Sequence, residues 1–172
     1  GTLILNNVTF INNIAIGGAA IYNVGTIILN NVTFINNSVM DCGGAIFNGG
    51  VMDVGHAVFV NNSADVGGAI YNNVGHVNLR EGAFVNNNAS YGGAMYYLGA
   101  VTCVKFKFID NAASKFGGNA IEGVYAPLII DGCSYESKYV NEGGFVYLVN
   151  SSLTVNNSIF ANSTSEYAPA IY

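Results

Sequence analysis

Apolar residues fall at every second position in short runs, and the runs return at an interval of roughly 25 residues. The copies align on one aromatic each: Phe10, Phe34, Phe59, Phe84, Phe108, Tyr135 and Phe160. Seven residues before it stand Leu3, Ile27, Met52, Val77, Val101, Leu128 and Leu153, and five before it Leu5, Leu29, Val54, Leu79, Cys103, Ile130 and Val155. A spacing of two is the strand period, so both columns point to one face. The residues between them, such as Ile4, Asp53, Asn78, Thr102 and Thr154, point to the other. A third inward column lies two residues before the aromatic: Val8, Val32, Ala57, Gly82, Phe106, Cys133 and Ser158. A polar step such as Asn6-Asn7, Asn30-Asn31, Arg80-Glu81 or Asn156-Asn157 separates the two runs and predicts a bend.

Paired asparagines follow the aromatic. Asn12, Asn36, Asn61, Asn86, Asp110 and Asn162 form one column, and Asn13, Asn37, Asn62, Asn87 and Asn111 the next. Both are read as buried ladders, because amides at an internal corner must be hydrogen-bonded. A small column follows (Ala15, Val39, Ala64, Ala89, Ala113, Val140, Ser165), then a turn of variable length, then a glycine pair. Glycine reaches positive φ cheaply and lets the chain enter a third strand. Its Ile21, Ile46, Ile70, Met95, Ile121, Val146 and Ile171 are read as inward, and its Tyr22, Phe47, Tyr71, Tyr96, Glu122, Tyr147 and Tyr172 as outward. Alternation inverted at the glycine pair would instead bury Ala and Tyr.

Three short strands per coil and no helical period predict an all-β right-handed parallel β-helix of about seven coils, a solenoid in which each coil buries its apolar face against its neighbours. Residues 1–172 read as a single β-helix repeat segment. The chain opens at Gly1-Thr2-Leu3-Ile4-Leu5, a near copy of Gly25-Thr26-Ile27-Ile28-Leu29, and stops at Ala170-Ile171-Tyr172, inside a repeat. The expectation is a fragment of a longer protein.

Charge narrows the function classes. Only 9% of residues are charged, the first falls at Asp41, and the net charge is −5. Five scattered basic residues argue against nucleic acid and against an anionic membrane surface. No run of 18 apolar residues is present, so direct membrane insertion by this segment is not expected. The acids are Asp41, Asp53, Asp65, Glu81, Asp110, Glu122, Asp131, Glu136, Glu142 and Glu166. No two align on adjacent coils beside Arg80 or a lysine, as a glycan lyase or hydrolase would need. No enzymatic activity, metal or cofactor is expected.

Cys42, Cys103 and Cys133 have no metal-ligand spacing, and the last two read as small core residues. His56 and His76 read as surface residues. His56, Glu81 and Lys105 share one column, a small charge ladder. Asn-x-Ser/Thr sequons are frequent. Asn7, Asn31, Asn88, Asn150 and Asn156, at bends and loops, are the candidate glycosylation sites. Asn36, Asn61 and Asn162 are set aside as buried ladder members.

Gly-Gly-Ala-Ile stands at 43–46 and 67–70, and Phe-x-x-Asn at 10–13, 34–37, 59–62, 84–87 and, as Phe108-Ile109-Asp110-Asn111, at 108–111. These motifs resemble the repeats of chlamydial polymorphic membrane proteins. The Asn-, Ile- and Tyr-rich wording, with Asn-Asn-Val-Thr-Phe and Gly-Gly-Ala-Ile-Tyr-Asn, is similar to the adhesin-like surface proteins of methanogenic archaea. The resemblance covers the whole chain. It implies a right-handed β-helix in an extracellular, cell-surface adhesin, and carries over no binding residue. Coil six departs from the pattern, with Tyr135-Glu136-Ser137-Lys138 and Gly143-Gly144-Phe145-Val146, and coil five is read as inserting Asn119 after its glycine pair.

The functional expectation is a non-enzymatic adhesin segment, a structural stalk and binding or display surface for other cells, surface proteins or glycans. Tyr22, Phe47, Tyr71 and Tyr96 are the candidate binding stripe, and Ile11, Ile35, Val60, Val85 and Ile109 a competing one. Alternatives are a carbohydrate-active β-helix, or a fibre protein assembling end to end or laterally.

Overall fold

Strict alternation in every coil becomes strand in every coil. The computed structural model describes residues 1–172 apart from Phe116 and Glu142, and the described residues form strands and no helix. In coil four the strands are His76–Leu79, Gly82–Val85 and Met95–Tyr97. Each pairs in parallel with its counterparts above and below. Val77 meets Met52 and Val101, Phe84 meets Phe59 and Phe108, and Met95 meets Ile70 and Ile121. The result is a right-handed parallel β-helix.

The structure refines the three-strand expectation in two ways. The first two strands belong to one sheet and run together in Thr26–Ile35 and Val51–Val60. The polar step is a bend within that sheet, marked by a register shift at Asn30 and by positive φ at Asn7, Asn31, Lys105 and Asn157. A further strand of two residues follows the asparagine corner, as in Ser38–Val39, Asn88–Ala89 and Ala112–Ala113. In coil six this strand is Val140–Asn141, and in backbone register Asn141, not Val140, is paired with Ser165.

The inward columns fall where alternation puts them. Ile27, Met52, Val77, Leu29, Val54 and Leu79 are fully buried. The aromatics stack unbroken from end to end: Phe10–Phe34 at 5.1 Å, then 4.9, 4.7, 5.0, 4.5 and 4.6 Å to Phe160. Each such pair adds about 0.5–1.5 kcal/mol beyond burial. Third-strand alternation is not inverted: Ile46 and Ile70 are buried while Phe47 and Tyr71 face outward, half-buried. Ala45, Ala69 and Ala94, just before the strand, are buried as well.

Only one of the two asparagine columns after the aromatic is a buried ladder. Asn37, Asn62, Asn87 and Asn111 are buried, and the Nδ2 of each donates to the Oδ1 of the next, at 2.9 Å for Asn37 to Asn62 and 3.0 Å for Asn62 to Asn87. Asn12, Asn36, Asn61, Asn86 and Asn162 are exposed at φ of 52–56°, and Asp110 is half-exposed at 51°. The left-handed turn swings this residue outward and delivers the next one inward. Asn36, Asn61 and Asn162 are therefore surface sequons, contrary to the expectation that burial would protect them.

A second buried ladder forms in the third strand. Asn23 donates to Asn48 at 2.6 Å and Asn48 to Asn72 at 2.8 Å, and each Nδ2 also reaches a glycine carbonyl in the following turn. In the next coil Tyr97 replaces asparagine, and Gly123 lies beneath it. A Cβ at Gly123 would collide with the Tyr97 ring.

Coil five differs from expectation. Asn119 is not an insertion after the glycine pair but occupies the place of its second glycine, below Gly93, and the added length of coil five lies before Gly118. Asn119 is buried and accepts the Ala113 N–H at 3.0 Å. Cys103 and Cys133 are core residues as read, with Sγ atoms 3.7 Å apart, and burial raises the Cys103 pKa.

Candidate functional site

The glycine pairs shape the outer face. At Gly43, Gly67 and Gly92 φ is 72, 65 and 60°, and a Cβ at Gly68 would run into the Gly93 carbonyl oxygen. The pairs therefore carry no side chains between two walls. One wall is the third-strand aromatic column. The other is the last residue of each turn, where Cys42 bridges Val66 and Val66 bridges Tyr91. The space between is a pocket of about 290 Å³ lined by Cys42, Val66, Tyr71, Tyr91, Tyr96 and Glu122.

The aromatic stripe is real, but its rings face one another. Tyr22–Phe47, Phe47–Tyr71 and Tyr71–Tyr96 centroids are 4.6, 5.3 and 5.7 Å apart, the first and last pairs within 8° of parallel. Ring faces are spent on neighbours along the column, so the stripe presents mostly edges to solvent. Tyr96 differs, because the next coil offers Glu122 in place of a ring. Stacking resumes at Tyr147–Tyr172, 5.1 Å apart. The pocket thus ends where one ring is missing from the ladder.

Glu122 stands in the outward column yet is only 6% exposed. The Gly92 backbone N–H favours its charged form, while Oε2 is buried without a hydrogen-bond partner. Burial pushes its pKa up to about 7, the Gly92 bond partly opposing. Burial likewise raises Tyr71 and Tyr96, with Glu122 adding to the effect on Tyr96. Cys42 is pushed up to about 12 by burial and by Asp41, so its thiol is a poor nucleophile.

Of the other sequence candidates, Asn7, Asn31, Asn88, Asn150 and Asn156 are all exposed. Asn31 is engaged, donating to Asn7 at 2.7 Å. Ile35, Val60, Val85 and Ile109 form an outward, half-buried apolar column in register, with Ile11 exposed at its end. His56, His76, Glu81 and Lys105 are exposed. Arg80 pairs with Asp53, and Lys138 with Asp110 at 3.0 Å. Asp41 and Asp65 fall on successive coils in the variable turn, where Asp65 N–H bonds the Asp41 carbonyl at 3.0 Å. Glu142 lies outside the described residues. Among the described residues no three His, Cys, Asp or Glu side chains gather as a metal site.

Sequence reasoning missed Glu122, Tyr91, Cys42 and Val66 as site residues. Glu122 carried a usable signal, a carboxylate interrupting a column of rings. The turn residues carried none, because turn length varies and hides their alignment.

Three segments, residues 7–24, 31–49 and 56–73, match the Chlamydia polymorphic membrane protein repeat. No curated protein and no solved structure matches the chain. Each matched segment runs from the bend through Phe-x-x-Asn and the glycine turn into the third strand, so the chain carries repeats of this polymorphic-membrane-protein type on a β-helix.

Proposed function

We propose that this segment is a non-enzymatic part of an extracellular cell-surface protein of the adhesin type, a stiff spacer that displays a binding face to other cells, surface proteins or glycans. The observation that carries the reading is the unbroken ring ladder from Phe10 to Phe160, which serves reach and rigidity. The repeat match supports the surface setting. The third-strand groove is the binding face, and the exposed sequons are sites for glycan attachment. Tyr71 and Tyr96 contribute ring edges and the open end of their stack, rather than a flat platform for sugar rings.

The test is to display the purified segment on beads and measure retention of cells and glycans, with turnover of acidic glycans followed in parallel. Specific retention without turnover is expected. Depolymerisation of a glycan would overturn the reading in favour of a carbohydrate-active β-helix. Mass growing with concentration in sedimentation, without retention, would favour a fibre protein.

A further inference from the structure

The pocket at the interrupted ring ladder has a chemistry of its own. Its walls are the rings of Tyr71, Tyr91 and Tyr96, and it ends on a carboxylate that is more than nine-tenths buried and has one unpartnered oxygen. The two ion pairs among the described residues are Arg80–Asp53 and Lys138–Asp110, so no described basic group pairs with Glu122. A buried carboxylate without a countercharge is costly and calls for a cation. An open aromatic face beside a carboxylate is the recognition element for an ammonium group, which the ring face attracts through its quadrupole, and Tyr96 has such a face where Glu122 replaces the next ring. The chain already shows that attraction at the rim, where Lys115 Nζ lies 5.1 Å from the Tyr91 ring centroid. The acids Asp41 and Asp65 lie in the adjoining turns next to Cys42 and Val66, and add negative potential near the entrance.

We propose that the groove between Tyr71, Tyr91, Tyr96 and Glu122 binds an organic cation, an ammonium carried on a small molecule or a partner's side chain. The ammonium sits against the Tyr96 ring in the place of the missing ladder member, with Glu122 as its counterion. Lys115 competes for the Tyr91 ring from outside. This deepens the reading of the third-strand groove as a binding face, but it does not depend on which cell or glycan the parent protein engages.

The test uses the purified segment with choline as the probe and 3,3-dimethylbutan-1-ol as its neutral isostere, followed by tyrosine-ring NMR shifts. Choline is expected to shift Tyr71, Tyr91 and Tyr96 saturably and to bind at least tenfold tighter than the alcohol. Glu122→Gln should weaken choline at least tenfold and leave the alcohol unchanged, and Lys115→Gln should tighten choline. Tyr96→Leu, which removes the ring but keeps the carboxylate, should weaken choline without abolishing the preference over the alcohol. Equal binding of both probes, or choline affinity untouched by Glu122→Gln, would overturn the proposal and leave only an apolar cleft. Retention of cells with no choline binding would overturn the cation site while sparing the adhesin reading.

Discussion

Asn62 and Asn87 are joined through a single oxygen: the backbone N–H and the Nδ2 of Asn62 both donate to Oδ1 of Asn87, at 2.9 and 3.0 Å. The same Nδ2 also donates to the Phe34 carbonyl at 3.1 Å, in the preceding coil. Asn62 in turn accepts both donors of Asn37. One side chain therefore satisfies a corner of the helix and ties three coils together. Such amides are neutral, so the arrangement is insensitive to salt and pH.

Replacing Asn62 with Ala should be severe. It removes the oxygen that accepts the Asn37 backbone N–H and Nδ2 and the Nδ2 that donates to the Phe34 carbonyl, at about 1–3 kcal/mol per unpaired group, while Asn87 Oδ1 keeps the backbone N–H of residue 62. A loss of roughly 3 kcal/mol or more is expected in urea melts. Asn61→Gly, one residue earlier, should be neutral or stabilising, because Asn61 is exposed at φ 53°. Equal effects at the two positions would contradict the assignment of a single buried ladder.

Phe59 lies between Phe34 and Phe84, 4.9 and 4.7 Å from their ring centroids, and is fully buried. Truncation to Ala should cost about 3–5 kcal/mol. The same denaturant melts check it, and a silent Phe59→Ala would mean that the rings do not form the core.

Glu122 gives the chain a pH dependence of unusual sign. Its folded pKa of about 7 exceeds the unfolded value of roughly 4.3, so the folded chain holds the proton more tightly. The stability this contributes is present below the unfolded value and is lost as pH rises through 7, by an amount on the order of 2 kcal/mol. Thermal melts at pH 5 and pH 8 should show the wild-type chain less stable at pH 8 and Glu122→Gln nearly level. A wild-type chain that gains stability over that interval would contradict the burial of this carboxylate.

Cys42 is partly exposed but holds its proton up to about pH 12. At pH 8 its alkylation by iodoacetamide should run roughly a thousandfold slower than that of an ordinary thiol near 8.5. Mass spectrometry of the native protein reads this directly. Rapid modification at Cys42 would show the Asp41 and burial effects to be absent.

The inward columns were legible because the strand period is strict and each coil repeats it. Leu29, Val54 and Leu79 could be placed from spacing alone. The asparagine corner was not, because a left-handed residue breaks the period: alternation cannot say whether Asn61 or Asn62 turns in. One trace was present, since Asp110 takes the exposed place while the buried column stays asparagine from Asn13 to Asn111. The Asn23–Asn48–Asn72 ladder is equally present in the repeated Ile-Tyr-Asn and Ile-Phe-Asn wording, in a column to which alternation assigns no role. Glu122 is placed on the correct, outward face by alternation, but its burial is not legible there, because it depends on the approach of Gly117 to its Oε2. Asn119 was misassigned because spacing cannot locate an extra residue within a run of small ones.

The most direct test of the account is a comparison of two double variants for retention of cells and glycans. Tyr71→Ser with Tyr96→Ser strips the groove wall on the third-strand face, and Val60→Thr with Val85→Thr alters the outward apolar column on the other sheet. Both sets of side chains point away from the core, so both variants should fold, as circular dichroism would verify. Retention lost in the first and kept in the second is the predicted result. Retention lost only in the second would move the binding face to the apolar column, and retention kept in both would contradict a binding role for this segment and leave it a spacer alone.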